Sequence, residues 1–305
     1  MHNRNTINRR SFLKMGALAA GFSAVKPTSI LASPASGSFH DSRIKLSLAA
    51  YSFRDQFKAG ELTMEAFIDY CDKLKLDGTE LTSYFFDAET DAYLLNLRSK
   101  CFHLGLPISG TAIGNNFVTP DKNERRKEIE DVKGWIDKAV VLGAPSIRIF
   151  GGGGIPDGHT EKDAYDWVLP ALHECVEYAG KHGIVLAIEN HGGFPTTSEQ
   201  LIKLVHEMDS PWCGANLDTG NFTEDWYRQI DEVAPYAVVV QLKPHVRPGW
   251  KSPVEGGKPV PADIARIVRT LKNVGYRRYL VLEYEAEDPY ENIPKWIDRL
   301  NDLIG

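Results

Sequence analysis

The 305-residue chain predicts a single (β/α)8 barrel of the TIM type, an α/β fold, and three observations lead there. Short apolar runs alternate with amphipathic helical segments from about residue 44 to the end, the signature of repeated βα units. The units number eight, which suits a closed barrel better than an open sheet. In the second half, four of the runs end in a polar residue: Ile184–Ile188 in Glu189, Cys213–Leu217 in Asp218, Ala237–Val240 in Gln241 and Tyr279–Leu282 in Glu283. Gaps of 29, 23 and 42 residues separate these four, close to what one strand plus one helix consumes. In such barrels the functional groups come from the C-terminal ends of different strands and converge on one mouth.

The elements follow in order. Strand one is expected near Ile44–Ala50, then a helix from Thr63 to Leu74 with Thr63 as N-cap and Phe67 and Cys71 on its buried stripe. Strand two covers Gly78–Thr82, and its helix Ala88–Leu104. Strand three is Pro107–Ala112. Asp121 opens a charged helix, Glu124–Leu142, whose stripe is Ile129, Val132, Trp135, Ile136 and Val140. Strand four, Ser146–Phe150, runs into Gly151–Gly154, and the next helix, Glu161–His182, ends on Gly183 as C-cap. Strand five is Ile184–Ile188, with Ser198 capping a helix to Met208. Strand six is Cys213–Leu217, strand seven Ala237–Leu242 and strand eight Tyr279–Leu282. The intervening helices start near Glu224 and Pro261, and the last is Tyr290–Leu303.

The first residues stand apart from this pattern. Asn8-Arg9-Arg10-Ser11-Phe12-Leu13-Lys14 precedes a mildly apolar stretch and then small residues, so residues 1–35 are expected to be a twin-arginine export signal, cleaved near Ser33–Ala35. Residues 36–43 are a linker, and the barrel spans 44–305. The expected destination is the periplasm, with the twin-arginine translocation machinery as a partner. Composition is 43% hydrophobic and 25% charged, ordinary for a globular protein, and no run of 18 apolar residues predicts a transmembrane helix. Residues 1–35 hold Arg4, Arg9, Arg10, Lys14 and Lys26 and no acid, so their removal takes the net charge from −6 to −11. A body that acidic is a poor partner for nucleic acid or an anionic membrane. Cys71, Cys101, Cys175 and Cys213 include no CxxC pair and read as buried core thiols.

Three carboxylates and an amide oxygen meeting at a barrel mouth repel one another unless a cation sits between them. An oxygen-only set suits a hard divalent ion, Mn²⁺ or Mg²⁺ before Co²⁺ or Zn²⁺. The expected metal set is therefore Glu189, Asp218, Gln241 and Glu283.

The segments Glu189-Asn190-His191, Leu217-Asp218-Thr219-Gly220-Asn221 and Leu282-Glu283-Tyr284-Glu285 resemble the xylose-isomerase-like TIM barrels, the sugar phosphate isomerase/epimerase group. The resemblance implies one divalent metal, ligated by Glu189, Asp218 and Glu283. It also implies a departure, because the family's third ligand is a His two residues before a Lys, and Gln241-Leu242-Lys243 puts Gln there. The related apurinic-site endonucleases carry Asp-x-x-His after strand six. Here the spacing gives Asp218-Thr219-Gly220-Asn221, which argues against nuclease chemistry.

The chemistry so implied is proton transfer next to a carbonyl, with the metal holding the enediolate. Glu189 and Glu283 are the expected catalytic pair, with His191 a further acid/base or substrate-contact candidate. The competing role for the two glutamates is a buried ion pair with Lys243 or Arg148. Glu285 shares the face of Glu283, so the assignment can slip by two residues. Lys243, His245, Arg148 and Tyr51 are the substrate-binding candidates. Glu80, like Arg148, is expected to point into the barrel, as a residue at or behind the substrate or as part of a structural ion pair. Phe53 and Trp250 join Tyr51 in a candidate apolar wall. The four glycines lack the pattern of a phosphate cradle and read as a βα loop. With export, that favours an unphosphorylated sugar. A metal-dependent lyase or hydratase on 3-keto-glycosides and a non-catalytic sugar-binding barrel are the alternatives, and a homo-oligomer remains open.

Overall fold

The computed structural model describes residues 44–246 and 258–305. The expected export signal, the linker and Trp250 lie outside the described residues. Eight parallel strands close into a barrel: β1 (Lys45–Ala49), β2 (Gly78–Thr82), β3 (Ile108–Ala112), β4 (Ser146–Ile149), β5 (Val185–Glu189), β6 (Cys213–Asp218), β7 (Ala237–Leu242) and β8 (Tyr279–Leu282). Each pairs with its sequence neighbours, and β8 pairs back to β1 with Lys45 opposite Tyr279 and Leu48 opposite Leu282. Eight helices follow the strands: α1 (Met64–Lys73), α2 (Asp91–Leu104), α3 (Lys122–Leu142), α4 (Glu161–His182), α5 (Ser198–Met208), α6 (Trp226–Val233), α7 (Ile264–Asn273) and α8 (Pro289–Ile304). Short helical turns at Ala50–Phe53, Arg54–Lys58 and Ser83–Phe85, and a two-residue antiparallel pair of His245–Val246 with Val260–Pro261, are additions that periodicity does not signal. Among the described residues no helix is long and apolar enough to cross a membrane.

Local chemistry sets most boundaries where the sequence places them. The Thr63 side chain accepts the Ala66 amide at the start of α1, and Asp121 accepts the amides of Asn123 and Glu124 at the start of α3. Gly183 closes α4 in the left-handed region at φ 72°, which a residue without Cβ adopts freely. Two details differ. The cap of α5 is Thr197, which forms a reciprocal box with Gln200, rather than Ser198, because Ser198 already lies within the first turn. On α3, Val140 is 41% exposed and Ala139 takes its place against the barrel, so the buried stripe drifts by one residue at the helix end.

Two apolar regions result. The larger lies between strands and helices and is filled by the outward faces of the strands and the inward stripes of the helices. The four cysteines are free and buried there, as expected of core thiols. Phe53 also belongs to this outer core, packed edge-on to Phe67 and Tyr70 and against Tyr290 at 4.9 Å, where it ties α1 to α8. It therefore forms no part of the barrel mouth, contrary to expectation, since the turn after β1 rotates it outward. The smaller region is inside the barrel, where Ala49, Ala187, Val239 and Val281 meet. One step of strand alternation above them come Tyr51, Glu189, Gln241 and Glu283, so a single period of two carries each strand from a dry layer to a polar one.

Candidate active site

The polar layer is a network of five carboxylates and two cations. Glu80 comes from β2, Arg148 from β4, Glu189 from β5 and Asp218 from β6. Lys243 follows β7, and Glu283 and Glu285 follow β8. All but Glu285 are buried or nearly so. Arg148 Nε lies 3.0 Å from Glu189 Oε2, and its Nη1 donates to the Ile113 carbonyl at 2.7 Å. The guanidinium stacks over Phe150 at 4.2 Å. The Nε contact lacks hydrogen-bond alignment, so its attraction is Coulombic. Asn221 donates to the other Glu189 oxygen at 2.9 Å.

Lys243 sits at the centre. Its Nζ is 3.1 Å from Asp218 Oδ2, 3.5 Å from Glu283 Oε2 and 3.2 Å from Glu285 Oε1. It also donates to Asn221 Oδ1 at 3.1 Å. Asn221 thus bridges the lysine to Glu189. Asn190 locks the strand ends beneath, its side chain exchanging two hydrogen bonds with the Asp218 backbone at 2.8 and 3.0 Å. Gln241 is committed at both ends: its oxygen accepts from Asn216 at 2.7 Å and its nitrogen donates to Glu80 at 3.1 Å.

Burial governs the titration of this layer. It pushes Glu80 up to about 7, with Glu283 adding to the shift and Arg148 and the Gln241 bond opposing it. Asp218 is likewise held up at about 7 by burial, against the attraction of Lys243. Glu189 and Glu283 are both raised chiefly by burial, Glu189 further by Glu283 and Glu283 further by Glu285 and Asp218, while Arg148 and Lys243 pull them back. For Lys243 and Arg148 burial opposes the charge, but the surrounding carboxylates outweigh it and hold both as cations. The two ion pairs named as the competing role of the glutamates are therefore formed. They do not neutralise the layer, because two cations face five carboxyl groups, and burial, the larger cause, raises the carboxyls further.

Above this layer opens a cavity of about 640 Å³ lined by Tyr51, Arg54, Asn115, Asn116, Phe150, His191, Asn221, Lys243, His245 and Glu285 and by the glycine-rich loops. Glu283 lines an adjoining recess with Arg54 and His245. Glu189 and Asp218 lie beneath Asn221 and Lys243, which form the floor. Of the expected substrate contacts, Tyr51, Lys243, His245 and His191 reach the cavity, whereas Arg148 supports Glu189 from below. His191 packs on Phe150 with ring centroids 4.6 Å apart, and burial, then Lys243 and Arg148, push its pKa down to about 4. It is a neutral imidazole at ordinary pH. Sequence reading missed Asn115, Asn116 and Arg54 as parts of the mouth. Asn115 clasps the end of β4 through the Phe150 amide and carbonyl, both at 2.8 Å, a role with no local pattern to announce it.

Gly151–Gly154 have a packing role. The Gly152 amide and carbonyl pair with Phe194, and a Cβ on Gly193 would come within 2.2 Å of the Gly152 oxygen. The glycines let the β4 and β5 loops touch and fix one rim of the cavity.

The chain belongs to the xylose isomerase-like TIM barrel family, whose model matches residues 68–301. Among solved structures it is similar to the 3-keto-D-glucoside 4-epimerase of E. coli, at 16% identity and TM-score 0.63 over 84% of this chain and 99% of that one. It is similar also to the probable 3-DHS dehydratase of Bacillus anthracis, at 15% identity and TM-score 0.67 over 85% and 99%. A third is the IolI protein with a bound zinc atom, at 15% identity and TM-score 0.69 over 86% and 98%. At these identities the likeness establishes the fold.

The expected divalent ion can be tested against the donors present. Among the described residues no group of three or more His, Cys, Asp or Glu is arranged to hold a metal. The reason is visible side chain by side chain. Asp218 Oδ2 and Glu283 Oε2 face an ammonium, the former through charge with no aligned hydrogen bond. The Glu189 oxygens face the Arg148 guanidinium and the Asn221 amide, and the Gln241 oxygen is taken by Asn216. In this arrangement the donor set does not fit a bound dication.

Proposed function

We propose that this barrel is a sugar isomerase or epimerase that moves a proton at a carbon next to a carbonyl. The observation that supports it most is the pair Glu189 and Glu283, buried carboxyl groups with raised proton affinity at the ends of β5 and β8. These strands stand three steps apart around the eight-strand ring, with β6 and β7 between them. Glu283 lines a recess of the mouth, while Glu189 lies beneath Asn221 and reaches a sugar when that side chain turns aside. The two would then act from different sides, one to remove the proton and the other to return it. A carboxyl group whose proton affinity is raised toward neutrality both accepts and donates readily near neutral pH, as proton shuttling demands. The charge that develops on the substrate oxygens meets the Lys243 ammonium at the cavity floor and the Asn221 amide beside it. Neutral His191 contributes a hydrogen bond, and Tyr51 and Phe150 offer flat apolar surfaces to the sugar ring. The metal-held enediolate expected from the sequence is not carried into this scheme, because the donors are otherwise engaged.

The substrate class follows from charge. Carboxyl groups outnumber cations in the layer beneath the mouth, although Arg54 and Lys243 line the cavity itself; that balance favours an unphosphorylated sugar. The twin-arginine pattern before residue 36 supports export to the periplasm by the translocation machinery, where such sugars are encountered. Elimination from a 3-keto-glycoside needs the same base and cation, and a dehydratase of this fold is among the similar structures.

Incubation in D2O with a panel of ketoses and 3-keto-glycosides, followed by NMR, separates these outcomes. Solvent deuterium at one carbon with the carbon skeleton and all substituents retained identifies isomerisation or epimerisation, and release of a leaving group identifies the lyase. Glu189→Gln or Glu283→Gln should lower kcat by ~10²–10⁴-fold while sugar binding persists, the usual contribution of a general acid–base. Binding of the panel without exchange or turnover refutes the enzyme and leaves a sugar-binding barrel.

A further inference from the structure

We infer that Lys243 is a built-in replacement for a divalent ion: its ammonium occupies the space between Asp218, Glu283 and Glu285 in which a cation ligated by them would sit. An ion bound to Asp218 Oδ2 and Glu283 Oε2 at the ~2.0–2.6 Å of hard-cation coordination must displace an Nζ that lies 3.1 and 3.5 Å from those oxygens.

The position of the lysine is built rather than incidental. A Cβ on Gly220 would lie 2.7 Å from the Lys243 Cδ and 2.9 Å from its Cβ, so only a bare α-carbon lets the stem pass. The Lys243 amide donates to Thr219 Oγ1 at 3.0 Å, while the Thr219 amide donates to the Gln241 carbonyl at 3.0 Å, clamping the ends of β6 and β7 together. Asn221 receives the ammonium and hands its own amide to Glu189, which connects the lysine to the second carboxylate without a shared ion. Gln241 faces Asn216 and Glu80, away from ligand duty. Asp218, Glu283 and Asn221 thus hold the ammonium, while Gln241 is taken up by other partners.

A fixed monovalent cation and a dication differ in consequence. The lysine cannot be chelated, and it stabilises negative charge without exchangeable coordination positions. The role of this charge in turnover rests on the proton-transfer reading, whereas its exclusion of metal does not, so the test reads binding alone.

Mn²⁺ titration of the purified chain from residue 36, followed by the electron paramagnetic resonance of free Mn²⁺, measures it directly. Wild type should take up no Mn²⁺ at millimolar concentration. Lys243→Met, and Lys243→Gln as a second variant that keeps a polar terminus, should bind one Mn²⁺ at least ~100-fold more tightly than wild type, since loss of the ammonium leaves like charges facing one another. That new site should disappear when Glu283→Gln is added. Stoichiometric Mn²⁺ on wild type that is lost in Glu283→Gln overturns the inference, as does Mn²⁺ binding by folded Lys243 variants no tighter than wild type. If neither variant folds, the wild-type titration decides. A failure of the sugar assay leaves this result standing, and the reverse.

Discussion

Arg148→Met is the perturbation whose size the structure sets most fully. The substitution keeps an unbranched apolar stem in the barrel but removes a guanidinium 3.0 Å from Glu189 and 2.7 Å from the Ile113 carbonyl. Removing one partner of a buried pair costs about 3–5 kcal/mol when the other must stay charged. Glu189 has a way out, because its proton affinity is already raised and rises further once Arg148 is gone. A carboxyl whose folded pKa lies above its unfolded value holds a proton that the unfolded chain releases. Its favourable contribution is therefore present at low pH and lost as pH rises through the folded pKa. Each pH unit across that window is worth about 1.36 kcal/mol. The expected loss is then about 3–4 kcal/mol at pH 8, falling to about 1–2 kcal/mol at pH 5.5, the remainder being the unsatisfied Ile113 carbonyl and the lost stacking on Phe150. Urea unfolding followed by circular dichroism, on wild type, Arg148→Met, Glu189→Gln and the double variant, measures both the loss and the coupling. A loss below about 1 kcal/mol at pH 8, or the same loss at both pH values, would refute the reasoning, since a buried unpaired carboxylate cannot be that cheap.

Two further outcomes follow from the rim of the cavity. His191, pushed down to about 4 by burial and then by the neighbouring cations, should remain neutral at pH 5.5, as read from its imidazole nitrogen shifts. A protonated ring at that pH would show that solvent reaches it freely. Gly193→Ala places a methyl 2.2 Å from the Gly152 oxygen, so the two loops must part, and a loss of about 1–3 kcal/mol is expected, the usual range for overpacking, together with weakened sugar binding. Unchanged stability would mean that the loops do not touch in solution.

The fold was legible because its signals are local. Strand alternation and helix periodicity repeat within a few residues, and strands such as Gly78–Thr82 and Tyr279–Leu282 coincide with the runs seen in the sequence. The same period of two put Glu189, Gln241 and Glu283 on the inner face, one step above Ala187, Val239 and Val281. The boundaries that moved, at Thr197 and Ala139, turned on which neighbour a side chain reached rather than on pattern. Phe53 was misplaced for a similar reason, since the turn after β1 reverses the alternation that had carried Tyr51 inward.

What each inner side chain meets is another matter, because barrel closure joins residues that the chain keeps far apart. Glu80 and Gln241 are separated by 161 positions and meet across the interior at 3.1 Å. A sequence period states the face on which a carboxylate lies and is silent on the charge opposite it. The three carboxylates at strand ends called for a cation, and that much the chain alone determined from electrostatics. That the cation is the ammonium of Lys243, admitted past Gly220 and held by Asn221, was decided only when eight strands closed and their ends shared one small volume of low dielectric.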